Sequence, residues 1–293
     1  MSALDPQIAA LLAGPLAGPA DPVLPRDAQT MRDGIEAGTA VLTGPPEPVD
    51  TVTDTDADGV PVRLYSPAGA RGVVLLMHGG GWVIGSLDSH DQFARMVANR
   101  AGAHVVSVGY RLAPEHPFPS GLNDCRTALD WTRRRFPGEP LAVTGDSAGG
   151  NLAAVLARHN RDLRLQALVY PVCDDVRDSA SYRAYGDDYP LTTESMVWFF
   201  EQYAGDPADP DVAPAAVADA DLVGLPPALV LLASHDVLAD EGVAYARRLE
   251  AAGVTTTLSI YDGAIHGFVR WTECDLCHRA LDELGQALRA ALD

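Results

Sequence analysis

Short, almost unbroken apolar runs recur along this chain. Longer stretches separate them, in which apolar residues return every three or four positions. "GVVLLMH" (72–78), "HVVSVGY" (104–110), "PLAVTG" (140–145), "LQALVYP" (165–171), "PALVLLAS" (227–234) and "TTTLSIYD" (255–262) are short and β-rich. Such runs are expected of strands covered on both faces. "DSHDQFARMVANRAG", "GLNDCRTALDWTRRRF", "SAGGNLAAVLARHN" and "LADEGVAYARRLEAAG" carry helical spacing between them. Strand and helix alternate at the lengths right-handed crossovers need, which predicts an α/β fold: a mostly parallel sheet flanked by helices. Upstream, Asp58 and Gly59 separate two β-like runs in "VDTVTDTDADGVPVRLYSP", the signature of a hairpin.

Two regions depart from this rhythm. Residues 1–48 are rich in Ala, Gly and Pro, with modest helical patterning in "PQIAALLAGP" and "AQTMRDGIEAG". Residues 176–226 insert between two strands, with a helix expected around Met196–Tyr203 and a Pro/Asp-rich loop. An insertion of that length usually serves a site, as a lid or cap does. Neither an internal repeat nor a low-complexity linker divides the 293 residues, so residues 1–293 read as a single domain with a sizeable core.

Composition adds exclusions. The net charge is −19, and every cation is an arginine because the chain has no lysine. Such a surface repels phosphate backbones and anionic membranes, so no nucleic-acid partner is expected. The triplet Arg133, Arg134 and Arg135 closes a helical stretch and complements its dipole. The apolar run near the N-terminus is broken at Gly14 and Pro15 and lacks a basic flank, and no stretch reaches the length of a membrane span. A cytoplasmic location is expected. "CDLCH" (274–278) matches a haem-attachment spacing, but Leu276, Ala280, Leu284, Ala287 and Ala291 place it at the start of a terminal helix. Cys125 and Cys173 stand alone, so neither a metal site nor a cofactor is expected.

The chemistry gathers at strand ends. "GDSAG" puts Ser147 between the strand "LAVT" and a helix, with glycines at 145 and 149 permitting a sharp, strained turn. A phosphate-binding turn would need a P-loop lysine or dinucleotide glycine spacing, and both are missing. Ser147 is therefore the candidate nucleophile. A serine hydroxyl needs a base, and among eight histidines His266 follows a strand directly in "YDGAIHGF". Asp236 follows "ALVLLAS" and is the candidate to orient the imidazole, with Asp262 its nearest rival. "HGGGW" (78–82) ends another strand in three glycines. The amides of Gly80, Gly81 and Ala148 are the expected oxyanion donors, while Gly79 supports the turn. Trp82, Trp198 and Phe199 are candidates for an apolar substrate wall.

Together "HGGGW", "YRLAPEHPFP", "GDSAGGN", "HDVLADEG" and "IHGF", in that order, resemble the hormone-sensitive-lipase-like carboxylesterases, the bacterial family IV of the α/β-hydrolases. The resemblance spans roughly residues 60–292. It implies the α/β-hydrolase fold with an eight-stranded sheet, a helical cap built from 1–48 and 176–226, and hydrolysis of short- to medium-chain acyl esters. It also implies Glu115 and His116 as scaffold, and allows a homodimer through an edge strand. One departure is Val237, where the family usually carries proline after the acid.

The same machinery would serve an amide, formamide or lactone, because triad and oxyanion hole suit any acyl transfer. A non-catalytic binding module on this fold would typically have lost one of these residues.

Overall fold

The computed structural model describes residues 3–14, 16 and 27–293. Residues 1–2, 15 and 17–26 of the expected N-terminal cap segment lie outside the described residues.

The first two helices, α1 (Pro6–Ala13) and α2 (Ala28–Leu42), are capped by Asp5 and Asp27, whose carboxylates accept from amides of the first turn. A hairpin follows. β1 (Thr51–Ala57) and β2 (Val60–Ser66) pair antiparallel around Asp58 and Gly59, both at positive φ, as a two-residue turn of this hand requires.

From β3 (Val73–Met77) onward the chain alternates as its pattern predicts: α3 (Asp91–Ala101), β4 (His104–Val108), α4 (Ser120–Arg135), β5 (Leu141–Asp146), α5 (Ala148–His159) and β6 (Gln166–Val169). The insertion contributes α6 (Ala180–Tyr185), α7 (Thr193–Tyr203) and the single turn α8 (Asp219–Leu222). β7 (Ala228–His235), α9 (Ala239–Ala251), β8 (Thr256–Ile265) and α10 (Asp275–Leu292) complete the fold.

The eight strands form one sheet in the order β1-β2-β4-β3-β5-β6-β7-β8, parallel from β4 to β8 and antiparallel where β2 meets its neighbours. Every residue of β3 is buried, as expected of a strand covered on both faces. Cys274 caps α10 and Cys277 lies in its first turn, both buried, in agreement with the helical reading of "CDLCH".

Register fixes where the strand ends meet. Met77 pairs with Gly145, so the loop after β3 emerges beside the loop after β5. His235 pairs with Ile265 across a register shift, so the residues that follow, Asp236 and His266, leave the sheet side by side.

Candidate active site

Ser147 joins β5 to α5 at φ 56° and ψ −121°, a left-handed strained backbone for a residue with a side chain. Its surroundings hold it there. Its amide donates to Val169 O at 2.9 Å, and its carbonyl accepts from Asn151 N and Val172 N. The close approach of α5 explains Gly149: a Cβ there would collide with the backbone of Met77 and His78 at the end of β3.

His266 Nε2 lies 3.0 Å from Ser147 Oγ, and His266 Nδ1 lies 2.6 Å from Asp236 Oδ2. A carboxylate only accepts, so Nδ1 carries the proton and Nε2 is left to accept from the serine hydroxyl. Asp236 is almost fully buried, and its Oδ1 accepts from Leu238 N at 3.0 Å. That bond comes from residue 238, so valine at 237 removes none of the support. Asp262 is exposed on β8, away from the imidazole's partner. Behind His266 stands the buried ring of Tyr170, with centroids 4.5 Å apart.

Gly80 and Gly81 adopt φ of 119° and 57°. A Cβ on Gly81 would strike the ring of Phe199, so the loop passes where no side chain fits. Among the described residues the amides of Gly80 and Gly81 make no hydrogen bond, and the Ala148 amide is the first of α5, without an intrahelical acceptor. Gly79 differs: its amide donates to Asp146 Oδ1 at 2.9 Å, tying the loop to the residue before the serine.

Asp146 anchors a buried polar cluster that sequence reasoning missed. His90 Nε2 lies 3.3 Å from Asp146 Oδ1, and the Arg270 guanidinium lies 3.3 Å from the same ring nitrogen. Burial would raise the Asp146 carboxyl, but His90, Arg270 and the Gly79 amide outweigh it and hold it at about 2. Burial acts the other way on the histidines: it pushes His78 down to about 3 and lowers His90. His78 therefore stands neutral. His78 stacks on Tyr110, whose hydroxyl donates to His78 O at 2.8 Å.

A cavity of about 310 Å³ opens onto Ser147, His266, Gly80 and Gly81. Met31, Ile35 and Leu42 of α2 line one side, and Leu191, Met196 and Phe199 of the insertion line another. Of the three wall candidates, Phe199 faces this space. Trp82 does not: it is 2% exposed and stacked on Tyr203 at 4.2 Å, filling the gap between its loop and α7. Trp198 does not either. The lining positions of α7 are 195, 196 and 199, and residue 198 points to a neighbouring face of that helix. The α2 contribution carried a legible signal, since 31, 35, 38 and 42 share one helical face.

Arg32 fastens α2 above the cavity. It donates to Val83 O at 2.8 Å and Ala113 O at 2.9 Å, and forks onto the Glu115 carboxylate, which it holds at about 2. Glu115 thus serves as scaffold. Among the described residues no cluster of His, Cys, Asp and Glu could hold a metal ion, and no helix is long and apolar enough to cross a membrane.

A family model described as the alpha/beta hydrolase fold matches residues 74–270. An ethyl acetate hydrolase of Pseudomonas putida is 40% identical, over 91% of this chain and 92% of its own. The carboxylesterase NlhH of Mycobacterium tuberculosis is 39% identical, over 89% and 92%. Among solved structures, the hyperthermophilic esterase of the archaeon Pyrobaculum calidifontis superposes with a TM-score of 0.90 at 34% identity, covering 99% of this chain and 100% of that one.

Proposed function

The chain belongs to the α/β-hydrolase family and hydrolyses carboxylic esters, and from that premise we propose that Ser147, His266 and Asp236 are its catalytic triad. The observation that carries the assignment is the continuous chain from Ser147 Oγ through the imidazole to the buried Asp236 carboxylate, at 3.0 and 2.6 Å.

Ser147 Oγ attacks the ester carbonyl while His266 Nε2 takes its proton, and Asp236 stabilises the imidazolium through Nδ1–H. The carbonyl oxygen becomes an oxyanion and accepts from the amides of Gly80, Gly81 and Ala148. One such donor is worth about 3 kcal/mol of transition-state stabilisation. His266 then protonates the departing alcohol. Water, deprotonated by the same nitrogen, attacks the acyl-enzyme and frees the acid. No step in this sequence calls on a cofactor.

Several finer features belong to the same reading. The five sequence motifs support membership of the hormone-sensitive-lipase-like branch. α2 and α7 flank the cavity, which supports a cap formed by the N-terminal segment and the 176–226 insertion around a single domain. A space of about 310 Å³ is at the small end for ligand sites and favours short to medium acyl chains. Four unpaired, buried cysteines suit the reducing cytoplasm. The exposed Ile260 on edge strand β8 offers a contact for a homodimer.

The test is hydrolysis of p-nitrophenyl esters from acetate to laurate beside Ser147→Ala. Turnover should peak at short chains and fall about 10⁴-fold or more in the variant. Turnover that survives the substitution would remove Ser147 from the mechanism.

A further inference from the structure

The cavity that opens onto Ser147 is mainly apolar, yet Arg270 forms part of its wall. A guanidinium is charged at any working pH and offers five N–H donors. Among the described residues Arg270 forms no ion pair with a carboxylate, and its one side-chain contact is His90 Nε2 at 3.3 Å. That nitrogen also lies 3.3 Å from Asp146 Oδ1. A neutral imidazole nitrogen either donates or accepts, so it serves Asp146 or Arg270 and not both. Either way at least four of the five donors lack a protein acceptor. Nε and Nη2 are unbonded and neither is enclosed, so their three donors face open space rather than packed protein.

We propose that Arg270 is an anion receptor within the substrate cavity, and that the enzyme's preferred esters carry a carboxylate a few atoms from the scissile carbonyl. Half-esters of short dicarboxylic acids and acyl esters of short hydroxy acids are the two forms of that class. The proposal rests on the triad reading and names the substrate for it. Hydrolysis of a half-ester cleaves its acyl–oxygen bond: the alcohol leaves with the proton from His266, and water supplies hydroxyl to the acyl group. The second carboxyl formed gives its proton to solvent.

Two charges limit the effect. Asp146 also borders the cavity, but it is 4% exposed and its Oδ1 accepts from Gly79, so it offsets Arg270 without occupying its donors. The chain's net charge of −19 opposes an approaching anion at long range, which places the gain in direct contact rather than in steering. A charge-assisted pair under these conditions is worth about tenfold in kcat/KM.

The experiment compares each charged ester with a neutral near-isostere. Monoethyl succinate is set against ethyl levulinate, and 3-acetoxypropionate against 4-acetoxybutan-2-one. Each is measured in wild type, Arg270→Gln and Arg270→Lys. Because the readout is the charged-to-neutral ratio within one protein, partial loss of folded enzyme cancels. In at least one pair the ratio should fall about tenfold in Arg270→Gln, recover in part in Arg270→Lys, and shrink in wild type as salt is raised. Equal ratios in wild type and Arg270→Gln for both pairs, with the neutral esters still cleaved, would overturn this assignment alone. Cleavage of neither member of either pair by wild type would overturn the esterase site with it.

Discussion

Glu241 is a residue whose role no motif announces. It stands on α9, one helical turn past Asp236, and its Oε1 accepts from the amides of Cys173 (2.8 Å) and Asp174 (3.2 Å). Its Oε2 is enclosed without a partner. Burial, reinforced by the nearby Asp174 and Asp236 charges, pushes this carboxyl well above its ordinary range although the two amides pull it down. A raised folded-state value means that the stabilising contribution is complete below about pH 4.3 and is lost as pH rises. Glu241→Gln keeps the accepting oxygen and cannot ionise. Its melting temperature should match or exceed wild type at pH 8, with the advantage vanishing near pH 4; a loss at both would mean that the negative charge is wanted. At this scale legibility divided sharply. Ser147, Asp236 and His266 could be picked out because each stands just past a strand end, where register alone brings them together. Arg270, Asp146 and His90 could not, because their meeting depends on which loops pack beneath the serine.

At the scale of elements, the strands were read most fully. Continuous apolar runs have no other stable home than a sheet covered on both faces, and β3 to β8 lie where those runs predict. The insertion was read in outline. α7 was expected, whereas α6, six residues started by the Ser179 cap, is too short to show a period. Which face of α7 meets the cavity was also hidden, because Trp198 and Phe199 are sequence neighbours about 100° apart on the helix. That difference is testable. Phe199→Ala enlarges the wall, and each methylene it newly buries is worth about 0.8 kcal/mol. The kcat/KM ratio of octanoate to acetate p-nitrophenyl esters should rise about tenfold, while Trp198→Ala leaves the ratio near wild type. The reverse pattern would put Trp198 on the wall.

For the molecule as a whole, acid is the condition under which the buried cluster gives way. Burial holds His78 at about 3, so it stays neutral in the folded protein well below pH 6.5, and burial lowers His90 as well. The unfolded chain protonates both near pH 6.5, so below that value it binds a proton that the folded His78 cannot, and stability falls with pH. His78 contributes at most roughly 1.4 kcal/mol per pH unit over that window. The urea midpoint should therefore drop between pH 7 and 5, and a flat profile would mean that the cluster admits protons. Asp146, at about 2, loses its contribution only when pH falls through that much lower value. The opposite extreme follows from the arginine fork that pins α2 above the cavity. Arg32, like every arginine here, keeps its proton in strong alkali, where a lysine near pH 10.4 would surrender its own. This fold has no ammonium side chain to lose, and its ion pairs outlast conditions that would strip a lysine-built surface.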